Sequence, residues 1–452
     1  MFSKILIANR GEIALRVIRT CQKLGIATVA VYSEADKEGL FVREADEAYC
    51  IGKPQVNLSY LNVEEIIQAA KKSGAEAIHP GYGLLSENAD FAKRCIREGI
   101  TFIGPSPDVL EAMGSKIQAR KTMKQAGIPI IEGVNIPLKG EEEAKKAAAA
   151  IGYPLMLKAS AGGGGIGMQL VHSEEELAKA FAGNKKRAES FFGDGDMFLE
   201  KYIEAPHHIE VQIMADSFGQ TVPLWERECS IQRRHQKVVE EAPSPFISEE
   251  TRQKMLDAAV QAAASIGYVN AGTIEFLVDR EQKFYFLEMN TRLQVEHPVT
   301  EEITGLDLVE EQLKVASGEK LSFTRQEVKR NGHAIEVRIY AEDPNTFFPS
   351  PGKITEFQLP SGKGVRNECA IEAGSQVTPF YDPMIGKLIT WGATREEACK
   401  RMKAALDQYK VEGIKTNIPM LKQVIAHEQF LKGMTTTHFV SDYYVPEKVQ
   451  TN

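Results

Sequence analysis

Glu275 and Glu288 are the two residues whose types and spacing point most directly to chemistry. They lie on two β-type runs, Gly272–Val278 and Phe284–Met289, joined by a short polar turn. A hairpin turning at Glu281-Gln282, or through Arg280–Lys283 in the same register, sets Glu275 directly opposite Glu288 on one face. Two facing carboxylates repel. A divalent cation between them removes the repulsion, and Asn290, two residues on, points to the same face with a third oxygen. An all-oxygen set of this kind suits Mg²⁺, or Mn²⁺, with substrate phosphates completing the shell. Glu-Gln is not a favoured hairpin turn, so a solvated edge hairpin that tolerates the repulsion is the alternative.

Arg292, Gln294, Val295, Glu296 and His297 follow at once. A guanidinium and a carboxylate next to a metal site make an anion clamp with a candidate base. Upstream lies the basic run Gln232-Arg233-Arg234-His235-Gln236-Lys237. Alone it reads as a solvated face; with the glutamate pair it gathers cations for phosphate and a small anion. The glycine run Gly162–Gly167 has Walker spacing, but Met168-Gln169 stands where Lys-Ser/Thr is required. It also fits GxGxxG, yet a strand (Met168–Val171) follows instead of a helix. Strand Pro154–Ala159, glycines, strand describes a hairpin lid whose bare N–H groups approach phosphates; the other reading is a mobile surface turn.

These residues need a scaffold. Lys4–Ala8 reads as a strand, and Ala14, Val17, Ile18, Cys21 and Leu24 form the buried stripe of a helix closed by Gly25. Ala27–Tyr32, Ala75–His79 and a run from Phe102 to Pro105 give further strands, with the turn Pro80-Gly81-Tyr82-Gly83 after the second. The pattern is doubly wound α/β. Its first turn holds one glycine, Gly11, so the dinucleotide fingerprint is missing. A second unit begins near Met113. From about Asn331, short β-rich runs broken by Pro and Gly, and a helix over Thr394–Tyr409, predict a small sheet domain. At 452 residues, three domains fit the ordinary domain size.

Composition excludes several classes. Hydrophobic residues make up 43% and charged residues 26%, the balance of a globular chain that buries a core. Acidic residues outnumber basic ones, 62 to 54, for a net charge of −8. No global basic field exists for nucleic acid or an anionic membrane. No apolar run reaches membrane-spanning length, and Ile5–Ala8 stops at Asn9-Arg10, unlike a signal peptide. The six cysteines are scattered without CxxC spacing, as in a reducing, cytoplasmic setting. Cys229 reads as packing rather than a nucleophile, and His79, His207 and His333 as structural.

The chain resembles biotin carboxylase, an ATP-grasp enzyme, over essentially its whole length. The resemblance is carried in order by ILIANRGE (Ile5–Glu12), HPGYGLLSEN (His79–Asn88), Gly162–Met168, SIQRRHQKVVEEA (Ser230–Ala242), EMNTRLQVEHPVT (Glu288–Thr300), Asn345–Lys353 and GIKTN (Gly413–Asn417). It implies an N-terminal doubly wound domain over 1–113 and an ATP-grasp domain over 114–330, with a glycine-rich lid at about 131–203. A β-rich C-terminal biotin carboxylase domain over 331–447 completes the α/β and α+β architecture. It implies ATP contacts at Lys116, Lys158, Gly164, Gly165, Met168, the hinge Glu200-Lys201-Tyr202-Ile203, His208, Gln232, His235, Glu275 and Glu288. Glu275, Glu288 and Asn290 match the Mg²⁺ ligands. Lys237, Arg292, Gln294 and the backbone of Val295 match the bicarbonate pocket, Glu296 the general base, and Arg338 the biotin contact, with Tyr82 and Gly83 on the biotin side. The lid departs from the usual GGGGRGM pattern by Ile166, which removes any arginine contact there.

The implied activity is ATP-dependent carboxylation of biotin held on a separate biotin carboxyl carrier protein. Bicarbonate is activated as carboxyphosphate in the first half-reaction of a biotin-dependent carboxylase such as acetyl-CoA carboxylase. The implied partners are the carrier, carboxyltransferase subunits and a second copy in a homodimer, with no nucleic acid and no membrane. Acetyl-CoA, propionyl-CoA, methylcrotonyl-CoA and pyruvate remain equally compatible as final acceptors. Two other classes share part of the pattern. An ATP-grasp carboxylate–amine ligase would have the lid and glutamate pair without the Arg292–Glu296 clamp. A non-catalytic nucleotide-binding regulator would have lost a metal carboxylate or the base. The Met-Lys pairs, Met123-Lys124 and Met402-Lys403, lack the following Met of a carrier site. The chain also ends soon after its last packed segment, so the biotin is expected on another polypeptide.

Overall fold

The computed structural model describes residues 1–134, 136–161 and 167–446. The lid residues Gly164, Gly165 and Ile166 lie outside the described residues. At the N-terminus five parallel strands stand in the spatial order Glu47–Cys50, Ala27–Tyr32, Lys4–Ile7, Ala77–His79, Thr101–Phe102. The helix Gly11–Lys23 buries Ala14, Val17, Ile18 and Cys21. It gives way at Leu24 to Gly25, whose φ of +72° is left-handed. The last strand is shorter than its sequence run, because Gly104-Pro105 cannot extend the ladder. Strand order switches between Lys4–Ile7 and Ala77–His79, and the crevice outside the carboxyl ends at such a switch is where doubly wound sheets hold ligands. Asn9 closes that crevice's floor, donating to the carbonyls of Pro80 (2.7 Å) and Tyr82 (2.9 Å).

A three-stranded antiparallel sheet, ordered Gln169–Val171, Leu155–Ala159, Met197–Lys201, carries the helices Glu141–Ile151 and Glu174–Phe192 on its apolar residues. Leu155 pairs with Val171 and Leu157 with Gln169, so the strands flanking the glycines form the expected hairpin.

The largest sheet has eight antiparallel strands. Its order is Phe284–Asn290, Asn270–Val278, His207–Ala215, Thr221–Arg233, Gln236–Ala242, His333–Tyr340, Met384–Gly392, Val365–Cys369. The β-rich third region is therefore continuous with the central one: Val239 pairs with Val337 and Glu241 with Ile335. One face packs on the helix Glu249–Ser265. Further along, Val337, Ile339 and Leu388 pack with the helix Arg395–Gln408, which is capped by Thr394.

The hairpin Asn270–Val278/Phe284–Asn290 corrects the sequence expectation in its loop. At the tip Val278 pairs with Phe284, Gln282 has φ +65°, and Asp279 and Lys283 close the turn. The loop is thus Arg280-Glu281-Gln282 with a left-handed third residue, not Glu281-Gln282 alone. That register would miss the glutamate pairing by one residue. A bulge at Leu287 restores it, because Phe276 pairs with Phe286 while Glu275 pairs with Glu288.

Candidate active site

Two cavities share a wall made of His208, Gln232, His235 and Glu288. The first is lined by Lys116, Ile131, Met156, Lys158, Met168, Glu200-Lys201-Tyr202-Ile203, Leu277 and Leu287. The second opens at the N-terminal sheet's crevice and contains Asn9, Tyr82, Gly83, Lys237, Glu275, Asn290, Arg292, Gln294, Val295, Glu296 and Arg338. Every described residue that the resemblance implies as an ATP, metal, bicarbonate, base or biotin contact lines one of the two cavities, whereas Arg233, Arg234 and His297 line neither.

Glu288 sits on this shared wall, and Glu275 lines the second cavity beside it. Glu275 accepts from Lys237 Nζ (2.8 Å), Asn290 Nδ2 (2.7 Å) and Gln294 Nε2 (3.0 Å), and its other oxygen is 2.8 Å from His208 Nε2. Glu288 accepts from Lys116 Nζ at 2.8 Å. Burial alone would raise Glu275, but Lys237 and His208 hold its carboxyl well below the ordinary range. Glu275, Glu288 and Asn290 therefore offer hard oxygen donors on one face, the donor chemistry of Mg²⁺. Lys116 and Lys237 hold the same oxygens.

Lys237 is the hub of the second cavity. Its ammonium contacts Glu210 (2.5 Å), Glu275 (2.8 Å) and Glu296 (2.7 Å). Glu296 has Arg338 Nη2 on its other oxygen at 3.0 Å. Burial would raise Glu296, yet Lys237, Arg338 and Arg227 hold it well below the usual range. Arg338 is fixed through Nε to Glu240 at 2.6 Å, and Arg292 through Nε to Glu87 at 2.8 Å. Arg292 also donates to Gln294 Oε1 (3.0 Å) and Asn290 Oδ1 (3.0 Å). The carbonyl of Val295 accepts from Lys387 at 2.7 Å. The result sets the Lys237 ammonium and the Arg338 guanidinium on the buried carboxylate of Glu296, with Arg292 lining the same cavity, which suits a small planar anion beside a base.

On the other side, Glu200 takes both Lys158 and Arg120, and Arg120 reaches the carbonyl of Ile131 at 2.7 Å. Lys201, which lines the first cavity, donates its ammonium to the carbonyl of Gly152 (3.0 Å). His235 sits in a two-residue turn with Arg234, at φ +64° and +50°, between paired Arg233 and Gln236. Such a turn ordinarily takes Asn-Gly. Two non-glycine residues held left-handed mark stored strain of the kind found at functional sites. Burial, with help from His438 and Lys158, lowers the His235 pKa, so its ring is neutral at pH 7.

Several readings settle as packing. His79 bonds Gln312 (3.2 Å) and the amide of Gly81 (3.0 Å). His207 stacks on Phe246, and His333 meets Glu241 at 2.7 Å. Burial pushes the Cys229 thiol well above its ordinary range, which leaves no thiolate. The sequence reading missed Glu87, Arg120, Glu210, Glu240, Lys387 and His438. Glu210 carried a signal, a lone carboxylate within the buried run His207–Ala215. Glu87 lies within the HPGYGLLSEN segment, whose pattern alone gives it no role.

Known proteins are similar to this chain over nearly its whole length. Residues 1–110 match the biotin carboxylase N-terminal domain, 115–324 the carbamoyl-phosphate synthase L chain ATP-binding domain, and 336–442 the biotin carboxylase C-terminal domain. The chain is 64% identical over 443 residues to biotin carboxylase 2 of Bacillus subtilis, covering 98% of this chain and 100% of that one. It is 65% identical over 443 residues to the biotin carboxylase of Halalkalibacterium halodurans, covering 98% of each. A crystal structure of the biotin carboxylase domain dimer of Hydrogenobacter thermophilus 2-oxoglutarate carboxylase, in complex with MgADP, ADP and bicarbonate, superposes with a TM-score of 0.96 at 48% identity, covering 99% and 100%. With all three of its segments matched in order and two cavities that meet at a wall carrying Glu288, the chain belongs to the biotin carboxylase family.

Proposed function

We propose that the protein carboxylates biotin on a carrier, using ATP and bicarbonate through carboxyphosphate. The observation that carries this reading is Glu296 held between Lys237 and Arg338, in a cavity that shares a wall with the nucleotide cavity. Lys116, Lys158 and His235 bind the ATP phosphates, and the Glu200–Ile203 hinge and His208 hold the nucleoside. Glu275, Glu288 and Asn290 would hold Mg²⁺, which supplies neutralisation of charge on the transferring phosphoryl group. Arg292, Gln294, Lys237 and the Val295 amide clamp bicarbonate. An entering anion beside Glu296 competes for Lys237 and repels the carboxylate charge, so the basicity of Glu296 rises when its substrate is bound. Glu296 takes the bicarbonate proton as the bicarbonate oxygen bonds to the γ-phosphorus and the bond to ADP breaks. Carboxyphosphate splits at its C–O bond into CO₂ and phosphate. Phosphate takes the biotin N1 proton, the N1–C bond forms, and Arg338 stabilises negative charge on the ureido oxygen. Tyr82 and Gly83 line the side from which biotin enters.

Among the described residues no helix is long and apolar enough to cross a membrane. The carrier, carboxyltransferase subunits, a homodimer, cytoplasmic location and domains at 1–113, 114–330 and 331–447 complete the proposal. Phosphate release measured with and without bicarbonate and biotin tests it. Dependence on both is expected; release driven by an amine and a carboxylate instead would assign a different ligase.

A further inference from the structure

Behind Arg338 lies a pair of carboxylates that the chemistry above does not use. Glu336, on the strand His333–Tyr340, stands directly opposite Glu240 on the strand Gln236–Ala242. Both residues are 0% exposed. Of their four carboxylate oxygens, Glu240 Oε1 accepts from Arg338 Nε at 2.6 Å. The other three have no hydrogen-bond partner among the described residues. The cations within reach are committed elsewhere. Arg338 uses Nη2 on Glu296. Lys387, opposite Arg338 on the next strand, donates to the Val295 carbonyl and faces Glu12 at 3.3 Å. The neighbouring ladder positions, Ile389, Ala334 and Ala242, are apolar and packed under Val299 and Ile303.

Two buried carboxylates in direct register cannot both ionise, and orphaned oxygens in a dry layer carry a desolvation cost. One proton removes both problems. Burial raises Glu240 too, to about 7, but Arg338 opposes that rise through a direct hydrogen bond that Glu336 lacks, so the proton belongs on Glu336. We propose that Glu336 is a positioning residue that stays protonated and donates to Glu240 Oε2, keeping Glu240 an anion that aims Arg338 at Glu296 and the biotin side of the cavity. Burial pushes Glu336 well above the ordinary carboxyl range, against Lys387 and with Glu240, and the ionisation belongs to the pair. The groups facing it are Glu240, Arg338, Lys387 and Glu296, with Glu12 beyond Lys387. An ionised Glu336 would compete for Arg338 and draw it back from the cavity, so biotin carboxylation should fall as pH rises through the ionisation of the pair.

The inference rests on the carboxylation reading through Arg338, and its test includes a readout independent of activity. Glu336→Ala should raise the KM for biotin by about tenfold, and Glu336→Gln, whose amide keeps the shape and the donor, should restore it to within about threefold. In Glu336→Gln the alkaline limb of the biotin-dependent rate should move to higher pH. At pH 8 the infrared difference between wild type and Glu336→Gln should contain an un-ionised carboxyl band. A carboxylate signal in its place, an unmoved alkaline limb, or a Gln variant as impaired as Ala would overturn the inference. So would a Gln variant that fails to fold, since a neutral isostere of a neutral group is tolerated. If carboxylation itself is absent in wild type while the infrared band is present, the functional reading fails and the shared proton stands.

Discussion

Glu275 and Glu288 face each other across the hairpin, yet each is neutralised by a different cation. Glu275 rests on Lys237 and His208, and Glu288 on Lys116. Their direct opposition depends on Leu287, the extra residue bulged into the second strand. In a bulge of this kind the extra residue shares the face of its neighbour, and Leu287 indeed lines the nucleotide cavity beside Glu288. One irregularity thus serves two purposes: it restores the carboxylate pairing and supplies an apolar wall to the proposed nucleotide cavity. The repulsion that a metal would relieve is also met by Lys116 on Glu288 and Lys237 on Glu275.

Glu288→Gln should leave the fold intact and lower bicarbonate-dependent ATP cleavage by at least about tenfold through a weakened metal site. Repulsion alone would make the metal-free variant as stable as wild type or slightly more so. The Lys116 ion pair opposes that gain, and because it is partly exposed its loss is worth about 1 kcal/mol at most. Melting curves without metal should therefore differ little. A large loss would mean that the pair is a structural ion pair first.

Glu296→Gln should cripple turnover while MgATP affinity stays within a few fold. Glu296 lies outside the glutamate–asparagine set, and its oxygens go to Lys237 and Arg338. The amide retains shape but cannot take a proton at neutral pH. Isothermal titration with MgATP separates the roles: an equal loss of nucleotide affinity would make Glu296 a metal or phosphate residue and remove the base assignment.

Much of the site was legible because its residues are close in sequence. Glu288 to Glu296 are contiguous, and a period-two argument is enough to put Glu288 and Asn290 on one face. The facing pair was reached through the wrong loop. The three-residue turn at Gln282 and the bulge at Leu287 each shift the register by one, and the shifts cancel. Neither leaves a mark in composition, since no glycine or asparagine flags them. Glu87, Glu210 and Arg120 were missed for a different reason. Arg292 and Glu200, the partners of Glu87 and Arg120, are distant in sequence and only the tertiary fold brings them together, whereas Glu210 meets Arg227 across two consecutive strands whose register the sequence pattern leaves open. The continuity of the eight-stranded sheet through Gln236–Ala242 and His333–Tyr340 was equally out of reach, because strand patterns do not name their neighbours.

Glu241→Gln should destabilise the protein away from the chemistry. Glu241 is buried and accepts from His333 Nε2 (2.7 Å), Arg395 Nε (2.6 Å) and Arg395 Nη2 (3.0 Å). Burial would raise its pKa, but His333 and Arg395 lower it. A lowered carboxyl pKa contributes stability above its unfolded value, about 4.3, and loses that contribution as pH falls through the folded value. The variant should cost about 3 kcal/mol at pH 7, with the gap to wild type closing below about pH 4. Urea denaturation at both pH values checks this; a pH-independent gap would assign the cost to packing.

A carrier presents its modified lysine in an exposed tight turn flanked by methionines. The Met-Lys pairs of this chain sit elsewhere: Met123 is buried in the helix Lys116–Gln125, and Met402 is buried in the helix Arg395–Gln408. Exposing either lysine as a turn would unwind a packed helix and uncover a core methionine, at a cost of several kcal/mol. Neither is therefore a substrate for a biotin ligase in the folded chain. The cavity that holds Arg338 and Glu296 is bordered by Tyr82, Phe380 and Tyr381, an aromatic rim suited to a biotin delivered from outside. A tethered carrier raises the local biotin concentration there, so it should be carboxylated far better than free biotin. Coexpression with a biotin ligase followed by a streptavidin blot should give no band on this chain, and an added carrier domain should stimulate carboxylation. A stoichiometric band on either Met-Lys pair, mapped by mass spectrometry, would sink the separate-carrier reading.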